Sequence, residues 1–300
     1  MTAGTRDKGG DYVFHMDGIF IIDKPAGMTS HDVVNTIRAK FSVSKAGHFG
    51  TLDPMATGVL PISAGKATRL GQFIPNGPKE YIGEIRFGFS TDTYDRDGGP
   101  TSEERPLHHS EQQIADAIRS FTGVLSQVPP AFSAKKIGGV PSYKLARKNR
   151  PVRMAPIQVE VYQFEMLRLE PPVMAFRVVC SPGTYVRSLG HDLGQALGCG
   201  AHLTALRRTR SGDFRLEHAV QLERVSGGDL IPMSQLLQSW PRIEVSGTEE
   251  RKVLHGNQIP GDGLSELARI FNKKGEFIAV ATVENGWVRP RLVLTSNTSD

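Results

Sequence analysis

Strand and helix signals follow one another irregularly along this 300-residue sequence, and that irregularity narrows the fold more than any other feature. A parallel sheet needs a crossover, usually a helix, between successive strands. Here Gly18–Asp23 and Val59–Ile62 read as short buried strands, with a helix and a glycine-rich stretch between them. Lys79–Ser90 alternates, placing Tyr81, Ile85, Phe87 and Phe89 on one face and Glu84 and Arg86 on the other, the pattern of a half-buried strand. Strands recur at 157–168 and 173–180 without a helix-sized segment between them. The pattern predicts an α+β fold, with a mixed, largely antiparallel sheet flanked by helices.

The helices announce themselves by apolar spacing and by caps. Val33, Val34, Ile37 and Phe41 follow a possible cap at Thr29 or Ser30. Lys66–Ile74 reads as a short helix. Ile114, Ile118 and Phe121 follow Ser110 and Gln113, which have capping-box spacing. Val186, Leu189, Leu193 and Leu197 share one side of a helix over 185–197, which Gly198 closes. The sequence changes character near Trp240-Pro241. Beyond it, 277–283, Asn285-Gly286 and 287–294 predict a hairpin with a tight turn. The expected organisation is a loose tail over 1–17, a main domain over 18–241 and a small β-rich domain over 242–300.

Hydrophobic residues make up 39% of the chain, enough for a sizeable core. The net charge of +5 suits a polyanionic partner without requiring one. Two cysteines, Cys180 and Cys199, form neither a disulfide framework nor a zinc site, so a reducing cytoplasm is expected. The first 17 residues lack the apolar core of a signal peptide. No apolar run approaches membrane-spanning length, which predicts a soluble protein. Phosphate-binding glycine loops, dinucleotide fingerprints, nucleophile elbows and zinc-ligand histidine spacings are missing from the sequence.

Three stretches stand out chemically. Gly47-His48-Phe49-Gly50-Thr51-Leu52-Asp53-Pro54-Met55-Ala56-Thr57-Gly58 places a carboxylate and a histidine in a loop whose glycines allow close approach to a ligand. Taken alone, Asp53-Pro54 reads more readily as the opening of a type I turn. Lys135–Arg153 carries Lys135, Lys136, Lys144, Arg147, Lys148, Arg150 and Arg153 and no acidic residue. It is either an arm that follows a phosphate backbone or a solvated insertion. Ser181–Leu189 sets Tyr185 and Arg187 at a helix start, where, taken alone, a core role for Tyr185 and a surface role for Arg187 are the simpler reading. Arg207, Arg208 and Arg210 form a second basic cluster, or a charged strand edge.

Together these stretches resemble the TruB family, the bacterial tRNA pseudouridine synthases that modify uridine 55 of the T arm. The resemblance runs over residues 18–215: Asp23-Lys24-Pro25 through Met28-Thr29-Ser30, then Gly47–Gly58, Lys79-Glu80-Tyr81 through Thr91-Asp92-Thr93-Tyr94-Asp95, Gly183–Arg187, and Leu206-Arg207-Arg208, in order. Phe49 departs from it, standing where a smaller residue is expected. The tail resembles the small RNA-binding PUA domain. A guide-RNA-dependent synthase subunit and a non-catalytic RNA-binding or tRNA-folding chaperone are the alternatives.

The resemblance implies the pseudouridine synthase fold and a role for each residue. Asp53 is the essential carboxylate, Arg187 its ion-pair partner, and Tyr81 the ring that stacks on the uracil. Tyr185 and Leu206 line the pocket. His48 fills the space that the flipped base vacates. Lys24 and Pro25 support the aspartate loop, and Asp95 braces the site. Lys135, Lys136, Arg147 and Lys148, in an insertion over about 124–153, hold RNA together with Arg207 and Arg208. No cofactor and no metal are expected, because the isomerisation exchanges nothing with a second substrate. The expected partner is the T arm of tRNA, with no membrane and no required protein partner, and the protein is expected to be a monomer.

Overall fold

The structure is a computed structural model that describes residues 16–132, 154–261 and 266–294, together with the backbone of the short strands Thr5–Arg6, Tyr12–Val13, Lys136–Ile137 and Val140–Pro141. The side chains of the basic stretch, Lys135, Lys136, Arg147 and Lys148 among them, lie outside this set, as does most of the 1–17 tail.

The architecture is α+β. Its main sheet runs in the order Val220–Gln221, Gly18–Lys24, Thr57–Ala64, Ala201–Ser211, Lys79–Phe87, Val173–Cys180, Ile157–Glu170, Gly123–Gln127. Most neighbours are antiparallel. Thr57–Ala64 with Ala201–Ser211, and Gly18–Lys24 with Val220–Gln221, are parallel. Ala201–Ser211 therefore lies in the middle of the sheet, not at an edge, with Thr57–Ala64 on one side and Lys79–Phe87 on the other. Tyr81, Ile85 and Phe87 are buried as their alternation requires. The expected strand stops three residues short of Ser90. Gly88, at φ +121, turns the chain, and Phe89 packs against His202 instead of joining the Tyr81 face.

The helices form where caps and periodicity place them. Thr29 caps Ser30–Lys40 through a capping box closed by Asp32, and Ser110 caps Glu111–Arg119 with Gln113. The Val186–Ala196 helix packs on Ala201–Ser211, with Val186, Leu189 and Leu193 buried and Gly198 beyond its end at φ +70. The stretch over 66–74 is a 3₁₀ helix, Gly65–Gln72, rather than a longer α-helix.

A second sheet of five strands runs Arg242–Val245, Leu267–Asn272, Phe277–Glu284, Trp287–Val293, Ile259–Pro260. Asn285 and Gly286, at φ 52 and 77, make the tight turn that their pairing predicts. This C-terminal β-rich region packs against the main sheet through one apolar cluster, in which Ile19 and Leu70 meet Phe271, Phe277 and Leu292. Phe49 joins the same cluster, and its ring lies where a side chain at position 71 would be: a Cβ on Gly71 would come 3.0 Å from it. The larger residue at 49 is thus matched by the smallest at 71.

Gly58 ends the aspartate loop and starts the next strand at φ +100. A Cβ there would sit 2.2 Å from the carbonyl oxygen of Arg208 on the paired strand. Backbone cannot yield as a flexible side chain does, so we expect Gly58→Ala to cost about 3 kcal/mol or more, among the larger effects of single substitutions. Chemical denaturation against wild type measures it; a loss under about 1 kcal/mol contradicts this close packing.

Candidate active site

The loop from Gly47 to Gly58 lies at the mouth of the main sheet and is held from beneath by backbone hydrogen bonds rather than by packing alone. Ser30, buried at the start of its helix, grips Leu52 twice: its hydroxyl accepts from the Leu52 N–H at 2.8 Å and donates to the Leu52 carbonyl at 3.1 Å. Lys24 is fully buried, and its ammonium donates to the carbonyls of Pro25, Met28 and Pro54 at 2.8, 2.6 and 3.2 Å. Burial lowers the Lys24 pKa to about 8, with Asp53 and Asp32 opposing the fall. Arg208 is also fully buried. It donates to the carbonyls of Val59, Thr51 and Gly50 at 2.7, 3.3 and 3.1 Å. Two buried cations thus fasten the aspartate loop by its oxygens.

Arg187 reaches the loop from the other side. It occupies the second position of its helix, where the helix dipole disfavours a cation. Carboxylates offset that. The Arg187 Nε and Nη2 face both oxygens of Asp53, at 2.8 and 2.9 Å, and Nη1 lies 3.2 Å from Asp95. The carbonyls of Thr93 and Phe132 each accept at 2.9 Å. The approach is side-on, with Nη2 hydrogen-bonded to Asp53 and Nε in ion-pair contact only. Asp95 is itself held: its carboxylate accepts from the Thr93 hydroxyl at 2.6 Å and the Asp97 N–H at 3.1 Å.

Asp53 keeps 32% of its side-chain surface open, towards a cavity of about 190 Å³. Tyr81, Tyr185, Leu206, Thr184 and Lys79 also line it. Burial, the largest influence, pushes the Asp53 carboxyl above its usual pKa; Arg187 opposes the rise and Asp95 adds to it. Burial likewise raises the Tyr81 phenol, which therefore stays protonated at neutral pH. Burial, and then the charge of Arg208, lowers His48, which is neutral at neutral pH. Gln127 fixes the backbone of Tyr185 by accepting from its N–H at 2.8 Å and donating to its carbonyl at 3.0 Å.

The structure therefore gathers Asp53, Arg187, Tyr81, Tyr185 and Leu206 around one cavity, with Asp95 behind Arg187 and Lys24 under the loop. His48 lies five residues from Asp53, in the strand Ala46–His48. The two arginines of the Leu206-Arg207-Arg208 stretch part company. Arg208 is enclosed as described. Arg207 faces the opposite side of the sheet, paired with Asp23 at 2.7 Å and bonded to Thr57. Ser30, Thr93 and Lys79 fall in segments the sequence singled out, but neither they nor Gln127 were given a part in the site. Only Lys79 carried a signal, two residues before Tyr81 and so on the same strand face. A larger cavity, about 470 Å³, opens among Ile82, Glu84, Leu167, Ala175 and Arg207; it shares Leu206 with the first but has no carboxylate paired with an arginine. Chemistry, not size, picks out the smaller one. Among the described residues no cluster of three or more His, Cys, Asp or Glu has metal-binding geometry, and no helix is long and apolar enough to cross a membrane.

Known proteins resemble this chain over most of its length. Residues 38–186 match the N-terminal domain of the TruB family pseudouridylate synthases, and residues 187–235 match the tRNA pseudouridylate synthase B C-terminal domain. A tRNA pseudouridine synthase B of Solibacter usitatus is 44% identical over 89% of this chain and 96% of its own length. One from Geobacter sulfurreducens is 48% identical over 85% and 82%. Among solved structures, a chain of a Cbf5-Nop10-Gar1 complex superposes with a TM-score of 0.67 at 27% identity, covering 97% of this chain and 90% of that one.

Arg187→Met leaves Asp53 and Asp95 facing each other without their shared cation. We expect a loss of about 3 kcal/mol, the low end for a broken buried pair because Asp53 is partly open. Removing Arg187 also raises the Asp53 pKa further. The folded state then takes up protons more readily than the unfolded one, so the mutant's deficit shrinks as pH falls through the raised value. Urea denaturation across pH and a carboxyl titration of Asp53 check both; a deficit that does not change with pH contradicts the pairing.

Proposed function

Because the chain belongs to the TruB family of pseudouridylate synthases, we propose that it isomerises uridine 55 in the T arm of tRNA to pseudouridine, with Asp53 as the essential carboxylate. The observation that carries this reading is the carboxylate held side-on by Arg187 at the floor of a cavity walled by Tyr81, Tyr185 and Leu206. The reaction breaks the N1–C1′ bond, turns the uracil and joins C5 to C1′. A proton leaves C5 and one returns to the ring, so atoms and electrons balance without a second substrate. The target base is stacked in its loop and must be flipped to reach the cavity.

Each residue then has a task. Asp53 acts as an anion, whether it attacks C1′, attacks the ring, or assists cleavage first. Arg187 keeps it ionised when the entering base excludes water, since a guanidinium opposes the effect of desolvation. Asp95 holds Arg187 from behind. Tyr81 stacks on the uracil as a neutral phenol and is placed to move the proton at C5. Tyr185 and Leu206 close the pocket. His48, neutral and half-buried, takes the place of the flipped base rather than exchanging protons. Lys24 and Arg208 act on the RNA through the loop they fasten. Arg207 lies on the outer face, where its charge is shared with Asp23.

The basic residues Lys135, Lys136, Arg147 and Lys148 serve as a phosphate-binding arm. The segment leading into them is rooted at the site: the carbonyls of Val128 and Phe132 accept from Ser188 and Arg187, and Gln127 clamps Tyr185. The main domain spans 18–241, and the β-rich region from 242 adds a PUA-like RNA-binding surface. We read the protein as a cytoplasmic monomer that needs no protein partner. The relatives named tRNA pseudouridine synthase B, at 44–48% identity against 27% for the Cbf5 chain, favour a stand-alone tRNA enzyme over a guide-RNA-dependent subunit.

Incubation of the purified protein with unmodified tRNA transcript, followed by pseudouridine mapping, tests the reading directly. Conversion at position 55 of the T arm is expected; no conversion at any uridine refutes it. Asp53→Asn should abolish turnover while tRNA affinity stays within about threefold, because phosphate contacts dominate binding. Appreciable residual conversion in this variant means another carboxylate is responsible. Alanine at Lys135, Lys136, Arg147 and Lys148 together should weaken binding and lower the log–log salt slope by about 0.7–0.9 for each lost contact. An unchanged slope makes the stretch a solvated insertion.

A further inference from the structure

One cation in the cavity has no counterpart in this account. Lys79 stands two residues before Tyr81 on the same strand face and lines the same cavity. It is 9% exposed, and among the described residues its ammonium has neither a hydrogen-bond nor an ion-pair partner. Burial lowers its pKa to about 8, helped by Arg208, so it remains largely protonated at neutral pH. Two arginines beside it meet carboxylates: Arg187 has Asp53 and Asp95, and Arg207 has Asp23. Lys79 and Arg208 do not. Arg208 meets carbonyl oxygens and the neutral Tyr81 phenol, none of which compensates its charge. A largely buried ammonium whose donors open onto a cavity is placed to take up an anion there.

Where the two cations meet indicates what that anion is. Both converge on Gly50: a Cβ there would lie 2.9 Å from the Lys79 ammonium and 3.6 Å from Arg208 Nη1. Gly50 has φ +86 and no side chain, and the Lys79 ammonium lies against its backbone in the space a side chain there would take. Gly50 stands in the chain between His48 and Asp53, which on the reading above take the place of the flipped base and lie beneath it. The backbone of the flipped nucleotide has to pass between those two points.

We propose that Lys79, with the charge of Arg208 behind it, forms a subsite for a phosphate of the flipped nucleotide and holds that nucleotide's backbone over Gly50. The inference rests on the pseudouridine synthase reading above. Lys79 then acts as a binding and positioning residue: it grips the nucleotide but touches neither of the bonds that change. An ammonium suits the task because a single phosphate oxygen needs a point charge rather than a planar fork.

The test uses the full-length protein and a T-arm stem-loop RNA in single-turnover assays, with natural phosphates or a neutral methylphosphonate at the phosphate 5′ or 3′ of the target uridine. Wild type should lose about 10-fold or more in rate with one of the two replacements, the scale of a lost charge-assisted hydrogen bond. Lys79→Met should lose a similar factor on natural RNA, show no further loss with that same methylphosphonate, and melt no lower than wild type. Lys79→Arg should recover most of the rate. Wild type indifferent to both methylphosphonates overturns the proposal, whatever the variants do. So does a Lys79→Met enzyme that stays as sensitive to the neutral linkage as wild type, or that loses no rate. A wild-type protein that makes no pseudouridine in the natural stem-loop overturns the functional reading, and this subsite with it; the two failures are thereby distinguished.

Discussion

Arg187 is 5% exposed and lies between two carboxylates contributed by separate loops, Asp53 on one side and Asp95 on the other. Neither acid could stand so near the other without it, and the arginine could not stay buried without them. Its remaining donors reach the carbonyls of Thr93 and Phe132, so a single guanidinium ties together four parts of the chain: the aspartate loop, the Thr91–Asp97 turn, the segment before the basic stretch, and the helix that begins at Val186. The cavity exists because these four parts converge there. Removing the charge therefore disturbs both the shape of the site and the ionisation of its carboxylate.

The aspartate loop is held by a second kind of contact, which keeps it rigid without consuming its carboxylate. Lys24 and Arg208 are fully buried, and each donates to backbone oxygens on or beside the loop, while Ser30 grips Leu52 in both directions. Buried cations on carbonyls are less compensated than cations on carboxylates, and the positive field they leave falls on the cavity. Burial raises the Asp53 pKa, and this surrounding charge is among the influences that restrain the rise. The side of the cavity nearest Gly50 carries the excess, in Lys79 and Arg208 together.

Packing extends this order outward. The 3₁₀ helix Gly65–Gln72 lies between the sheets, where Leu70 enters the cluster shared with Phe271 and Phe277, and Arg69 donates to the carbonyl of Val293 at 2.6 Å. Phe49, next to His48 in sequence, inserts into the same cluster over Gly71. The residue expected to take the place of a flipped base is therefore anchored through its neighbour to the C-terminal β-rich region.

Much of this was legible in the sequence wherever structure is set by neighbours along the chain. The capping boxes at Thr29 and Ser110, the Asn285-Gly286 turn, the alternation from Lys79 to Phe87 and the helix face of Val186, Leu189 and Leu193 all depend on residues within a few positions of one another. The glycine-rich stretch around Asp53 marked the site for the same reason. Partners far apart in sequence were another matter. Asp53 and Arg187 are 134 positions apart, and composition and periodicity alone favoured Arg187 as a surface residue. The contrast is sharpest in Leu206-Arg207-Arg208. Strict alternation from the buried Leu203 would turn Arg207 inward and Arg208 outward. A bulge between Leu203 and Ala205 reverses that order, sending Arg208 under the aspartate loop and Arg207 to Asp23. Local periodicity determined that a strand would form there. Only the register of the assembled sheet decided which arginine it would bury, because one extra residue in a ladder exchanges its two faces.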